Sequence, residues 1–263
     1  MVPSDRIAIL AAGRSTRMNS GTPKVLHDLH GKPMLWYVVQ SAREANGTKP
    51  ILVVNAAHRD AIAKILADEV EYVVQQEPRG TADAVRAIPP ALFAGSSHLV
   101  VLYGDHPLVS APTIRRLIQA HAAAYAPLTM MTVTVPHFGG AYGVFEAFGR
   151  IIRQSDGLLD RIVEYKDADE AIKKIKEVNP GYYCFSLPWL KGNLPQVKAD
   201  NTQKEFYLTD LVGMARRAGE ALAVVPIDDP WEGLGINTQE ALALAAQIMA
   251  SRDAGVKPEA LHS

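Results

Sequence analysis

Short apolar runs separated by helical stretches set the pattern of the first half of the chain. Residues 6–10 (RIAIL), 51–55 (ILVVN), 71–75 (EYVVQ) and 98–103 (HLVVLY) are rich in valine, isoleucine and leucine. Runs of this kind predict strands buried on both faces. Between them, 33–45, 58–68 and 81–88 read as helices. The stretch 111–124 follows the fourth run with apolar residues at helical spacing, and Pro112 suits its first turn. Strand–helix alternation of this sort predicts an α/β fold, a mostly parallel sheet with helices on both faces.

The second half changes character. Residues 128–135 (LTMMTVTV) form a β-rich run, and 149–153, 161–165 and 182–186 follow at short intervals. They predict a smaller strand-rich lobe attached to the first sheet. Residues 208–217 read as a helix, 221–225 as a strand, 238–251 as a closing helix and 253–263 as a loose tail. No linker is long enough to separate independent domains. Ligands of open α/β sheets sit beyond the carboxyl ends of the strands. The loops after Leu10, Gln75 and Tyr103 are therefore where chemistry is expected.

Composition narrows the functional classes. The 263 residues carry 27 basic and 28 acidic side chains, a net charge of −1. That balance argues against a nucleic-acid-binding domain and against a polybasic membrane binder. A single cysteine, Cys184, excludes a disulfide within the chain and a cysteine-rich zinc site, and points to the reducing cytosol. No apolar run approaches the roughly 20 residues that span a bilayer. The first residues lack the charged start and cleavage site of a secretory signal, so a cytoplasmic location is expected.

The first loop reads Leu10-Ala11-Ala12-Gly13-Arg14-Ser15-Thr16-Arg17-Met18, with Pro23-Lys24 downstream. Small residues directly after a strand let the backbone come close to a ligand, and backbone N–H groups there can cradle phosphate oxygens. Arg14, Arg17 and Lys24 bring positive charge to the same strand end, as a triphosphate needs. The string is neither the dinucleotide fingerprint GxGxxG nor a P-loop. Taken alone, it is also compatible with a strand–helix turn bearing solvated basic residues.

The string LAAGRSTRM with a downstream PK resembles the signature of the sugar-phosphate nucleotidyltransferases. The nearest resemblance is to the N-acetylglucosamine-1-phosphate uridylyltransferase domain of the bifunctional bacterial enzymes. Matching segments recur in family order from about Ile7 to Asn237. The resemblance implies a Rossmann-like nucleotide-diphospho-sugar transferase fold. It also implies one nucleotidyltransferase domain over 1–252, with a nucleotide-binding half (about 1–127), a sugar-binding half (128–237) and a closing helix.

The same resemblance assigns roles. Leu10, Ala11, Ala12, Gly13, Arg14 and Lys24 would hold the nucleotide phosphates. Gln75, Gly80 and Thr81, in QQEPRGTA, would face the uracil, whose edge pairs with the donor and acceptor of an amide. Asp105, in YGD, and the distant Asn237, in GIN, would hold Mg2+, which favours oxygen ligands. A turn or cap role for Asp105, and a helix-cap role for Asn237, are the plain structural readings of the same positions. Gly149 in FGRI, Glu164 in EYKDA, Asn179 in EVNPG, and Tyr207 and Thr209 in NTQKEFYLTD would hold the sugar with Tyr103.

The reaction implied is transfer of UMP from UTP to N-acetylglucosamine 1-phosphate with release of pyrophosphate, Arg17, Lys24 and Asp105 being catalytic. The same chemistry on glucose 1-phosphate, a muramic acid phosphate or dTTP is an alternative, as is a non-catalytic nucleotide-sugar-binding protein. Three departures stand out: Ser15 in place of a second glycine, Pro180 in place of a small hydroxyl residue, and a longer stretch over 136–147 containing a second Tyr-Gly pair. The chain ends before any hexapeptide-repeat acetyltransferase domain. A separate acetyltransferase partner and a monomer or dimer are the corresponding expectations.

Overall fold

In the computed structural model, residues 5–13 and 22–255 are described. The first apolar run becomes strand β1 (Arg6–Ala11), followed by a small hairpin of β2 (Asp28–Leu29) and β3 (Lys32–Pro33). Then come α1 (Met34–Asn46), β4 (Ile51–Asn55), α2 (Arg59–Leu66), β5 (Glu71–Gln75), α3 (Thr81–Arg86), β6 (His98–Tyr103) and α4 (Ala111–Ala124). The second half holds β7 (Leu128–Thr134), β8 (Gly149–Arg153), β9 (Leu159–Val163), α5 (Glu170–Lys173), β10 (Glu177–Asn179) and β11 (Tyr183–Ser186). It closes with α6 (Leu187–Asn193), α7 (Asp210–Arg217), β12 (Leu222–Pro226) and α8 (Gln239–Asp253).

One mixed sheet of ten strands runs in the order β5-β4-β1-β6-β11-β7-β10-β8-β9, with β12 also paired to β7. Pairing is parallel through β5-β4-β1-β6 and along β7-β12. It turns antiparallel where β11, β10, β8 and β9 join. The side chains of β1 show why its run is continuously apolar. Ile7, Ile9 and Ala11 enter a core with α1, α2, α4 and α8, whereas Ala8, Leu10 and Ala12 enter a second core with α3, α6 and α7. Both faces are covered, so both sets of positions must be apolar.

Local signals set the helix ends. Ser110 accepts the Thr113 N–H to cap α4, and Gly47 ends α1 at φ +73°. The strand expected at 161–165 lies two residues earlier, over Leu159–Val163. Register explains the shift, because Ile162 pairs with Ile151 on β8. Strand β10 and helix α6 were not foreseen. β10 is a three-residue strand, too short to show a period. Its Asn179 is paired in register with Gly149.

Among the described residues, Arg150 is the one charged side chain fully enclosed in the core. Its guanidinium donates to the carbonyls of Lys173 (3.1 Å), Glu146 (2.8 Å) and Phe148. It stacks 4.4 Å over the ring of Phe138. The long 136–147 stretch is thereby folded against β8. Tyr142 of that stretch stacks on Trp231 at 4.9 Å between centroids, and Phe148-Gly149 leads into β8.

Candidate functional site

The chain runs β1, β4, β5 outward on one side of the sheet and then returns to place β6 on the other side of β1. Between β1 and β6 the winding reverses, and a crevice is expected at the strands' carboxyl ends. A cleft of about 590 Å³ opens there. Leu10, Ala11, Ala12 and Gly13 line it from β1, Gln75, Gly80 and Thr81 from the end of β5, and Tyr103 and Asp105 from the end of β6. Arg14, Ser15 and Arg17 lie outside the described residues.

Three side chains far apart in sequence meet in this cleft. The Lys24 ammonium forms an ion pair with Asp105 Oδ2 and donates to Asn237 Oδ1 at 2.9 Å. Backbone hydrogen bonding brings the last of them in: the Ile236 N–H donates to the Asp105 carbonyl at 2.8 Å. Gly235 permits that approach, since a Cβ there would lie 2.6 Å from His106 Nε2. The cap of α8 is Thr238, whose hydroxyl accepts the Ala241 N–H at 3.2 Å. Asn237 is therefore not the cap, and its oxygen faces the lysine. Asp105 sits in a turn, and Ser110 caps the helix that follows it.

Burial alone would raise the Asp105 carboxyl. Lys24 beside it, with His106 and a backbone hydrogen bond, holds it below its ordinary value, so the carboxylate is ionised. Burial pushes His106 down to about 4, and its ring is neutral at pH 7. The Tyr182 hydroxyl donates to the Glu232 carbonyl at 2.7 Å and lies 3.1 Å from His106 Nδ1. Nδ1 therefore carries the ring proton and donates it to that hydroxyl.

A divalent cation fits the donor set at Asp105 and Asn237. One carboxylate and one amide oxygen already converge on a single cation, the Lys24 ammonium. Among the described residues no cluster of three or more His, Cys, Asp or Glu could hold a metal ion. The protein would thus offer two oxygens and leave the remaining positions to water and phosphate, the arrangement magnesium favours.

On the base side, Gln75 is buried at the end of β5. Its amide nitrogen donates to Asp83 Oδ2 at 2.8 Å and to the Gly80 carbonyl at 3.3 Å. The Thr81 hydroxyl accepts the Leu208 N–H at 2.9 Å. The Phe206 N–H donates to the Arg79 carbonyl at 2.8 Å, and the Ala82 N–H donates to the Phe206 carbonyl at 2.9 Å. The segment around Phe206 is thus tied by its backbone to the loop that carries Gly80 and Thr81.

The expected sugar residues form a second group behind this wall. The Thr209 hydroxyl donates to Glu164 Oε1 at 3.2 Å. Burial and neighbouring carboxylates push Glu164 up to about 7. Gly149 lies against the Glu164 carboxylate, and Asn179 Oδ1 accepts the Gly181 N–H at 2.9 Å. The Tyr207 hydroxyl accepts from Gln203 Nε2 at 2.5 Å. Of the expected sugar residues, only Tyr103 lines the cleft itself. Gly149, Glu164, Asn179, Tyr207 and Thr209 do not.

Lys166, Gln203 and Glu205 line the cleft instead. The Lys166 ammonium donates to Gln203 Oε1 at 2.6 Å. All three lie inside the EYKDA and NTQKEFYLTD segments, so the same segments supply both the cleft lining and the group behind it. Asp83 was missed because an acidic residue in the first turn of a helix is an ordinary helix signal.

Comparison with known proteins identifies the family and the fold. The family model for the MobA-like NTP transferase domain matches residues 7–170. A bifunctional protein GlmU of Geotalea uraniireducens is 37% identical over 93% of this chain and 52% of its own. Another, from Brevibacillus brevis, is 40% identical over 93% of this chain and 51% of its own. The chain spans about half the length of the curated relatives it matches. A solved chain assigned as a glucose-1-phosphate thymidylyltransferase of Bacillus anthracis, in complex with a sucrose, superposes with a TM-score of 0.70. It is 19% identical and aligned over 93% of this chain and 96% of that one, and it establishes the shared fold. Among the described residues no helix is long and apolar enough to cross a membrane.

Proposed function

This chain belongs to the family of MobA-like NTP transferase domains, and from that premise we propose that it transfers UMP from UTP to N-acetylglucosamine 1-phosphate. The products are UDP-N-acetylglucosamine and pyrophosphate. The observation that carries the reading is the meeting of Lys24, Asp105 and Asn237 at the switch point of the sheet. A cation-binding pair of oxygens and a neighbouring ammonium suit a triphosphate and a departing pyrophosphate.

In this reaction an oxygen of the sugar phosphate forms a bond to the α-phosphorus of UTP. The bond from the α-phosphorus to the bridging oxygen breaks, and pyrophosphate leaves with that electron pair. A sugar phosphate is already ionised near neutral pH, so no general base has to act. Catalysis then rests on positioning and on neutralising charge. Asp105 and Asn237 would hold a divalent cation, Mg2+ in this reading, which supplies charge neutralisation to the phosphates when bound. The β1 loop would cradle the phosphates with its backbone, and Lys24 and Arg17 would stabilise the α-phosphate and the leaving group. Gln75, Gly80 and Thr81 would receive the base. Tyr103, Gly149, Glu164, Asn179 and Thr209 would shape the sugar side.

The test is pyrophosphate release from UTP and N-acetylglucosamine 1-phosphate with MgCl2, measured for the wild type and for Asp105→Ala. The wild type is expected to release pyrophosphate only with the metal. The variant is expected to lose about a hundredfold or more in kcat while remaining folded. Turnover without added metal, or near-wild-type turnover of Asp105→Ala, would sink the reading. Release with glucose 1-phosphate or dTTP in preference would keep the chemistry and replace the substrates.

A further inference from the structure

We infer that Asp83 sets the nucleobase preference of this site by fixing the Gln75 amide in one orientation. The inference rests on the proposed placement of Gln75 against the base and deepens it. Gln75 lines the cleft with only 3% of its surface exposed. Its amide group meets the Asp83 carboxylate at 2.8 Å and the Gly80 carbonyl at 3.3 Å. Both partners are acceptors only, so the atom facing them must be the amide nitrogen, and both its N–H groups are spent. Rotating the amide by 180° would set its oxygen against a carboxylate and a carbonyl. The Asp83 carboxylate is itself anchored: its Oδ1 accepts from Arg79 Nη2 at 3.0 Å. Arg79 in turn gives its carbonyl to the Phe206 N–H.

The consequence is chemical. Gln75 can offer a ligand only its oxygen, an acceptor. A base that meets it must donate, as the ring imide N–H of uracil or thymine does. Cytosine carries a bare ring nitrogen at that position and would put lone pair against lone pair. A site built to accept a hydrogen bond rejects an analogue that lacks the donor, because the buried oxygen is left unpaired. In this account Asp83 touches no substrate. It is a positioning residue, acting through Gln75.

Pyrophosphate release is measured with UTP and with CTP, each with N-acetylglucosamine 1-phosphate and MgCl2, for the wild type, Asp83→Ala, Gln75→Ala and the double variant. Asp83→Asn serves as the same-sized partner should Asp83→Ala fail to fold. The quantity read is the ratio of kcat/KM for UTP to that for CTP. Asp83→Ala frees the amide to turn, and the ratio is expected to fall about tenfold or more. Asp83→Asn can offer nitrogen as well as oxygen to Gln75, so the same ratio is expected to fall there too. In the Gln75→Ala background, Asp83→Ala is expected to leave the ratio unchanged. A purely structural role for Asp83 would lower both substrates equally and leave the ratio intact, which would overturn the inference. So would an equal fall of the ratio with and without Gln75. If Gln75→Ala itself leaves the ratio intact, the placement of Gln75 against the base is wrong and the inference falls with it. If the wild type turns over neither nucleotide, the proposed reaction fails first.

Discussion

Glu164→Gln is expected to make the protein more stable, and more so as the pH rises. Glu164 lies beneath Gly149 with its carboxylate accepting from the Thr209 hydroxyl at 3.2 Å. Burial, then the carboxylates of Asp167, Asp210 and Glu205, push it from 4.5 up to about 7, against the opposing effect of the Thr209 hydrogen bond. A folded-state value above the unfolded one means the folded chain binds more protons between the two. Stability is therefore lost as the pH climbs from about 4.5 through 7, and the loss is complete above that. At about 1.4 kcal/mol per pH unit, the full loss is about 3 kcal/mol at pH 8 and under about 1 kcal/mol at pH 5. Glutamine keeps an acceptor oxygen for Thr209 and carries no charge to bury, so the variant escapes this cost. Melting curves at pH 5, 6.5 and 8 read the effect directly. For a chain of this size the variant should melt about 6–12 °C above the wild type at pH 8 and nearly with it at pH 5. A difference that does not change with pH, or a variant less stable at pH 8, would refute the reasoning. The variant is also expected to raise KM for the sugar phosphate, since the destabilising carboxylate sits where the sugar is proposed to bind.

Arg150→Met should cost about 3 kcal/mol or more in urea unfolding, because the carbonyls of Glu146, Phe148 and Lys173 lose their shared donor inside the core. Lysine at that position is expected to recover only part of the loss, having no planar fork to reach three carbonyls. Gly181→Ala places a Cβ on a backbone at φ +85° and into the ring of Tyr103. It should cost about 1–3 kcal/mol for the strained backbone. By displacing Tyr103 it should also raise KM for the sugar phosphate more than for UTP, and an unchanged melting temperature would contradict the strain.

The two halves of the chain differ in how far sequence alone could be read. The parallel strands of the first half were plain because burial on both faces demands an unbroken apolar run, and Ile7 through Ala12 supply one. The loops that line the cleft were equally plain, because the strand ends at a switch point open a crevice whatever the side chains are. In the second half, β10 gave no signal, since three residues show no period and only pairing to β7 and β8 makes them a strand. The sequence named Asp105 and Asn237 as partners only through resemblance, and it left open whether Asn237 was a cap. Tertiary structure decided that: Thr238 takes the cap, and the Ile236–Asp105 backbone hydrogen bond carries Asn237 to the Lys24 ammonium. Tertiary structure alone also put Lys166, Gln203 and Glu205 on the cleft, with Glu164 behind it, and turned the Gln75 amide by means of Asp83. The physical reason is the same in each case. A pattern of apolar residues records which face of an element is buried, because every residue on that face contributes to it. The direction of one polar side chain is set by one or two partners that the fold brings from elsewhere in the chain, and no local pattern contains them.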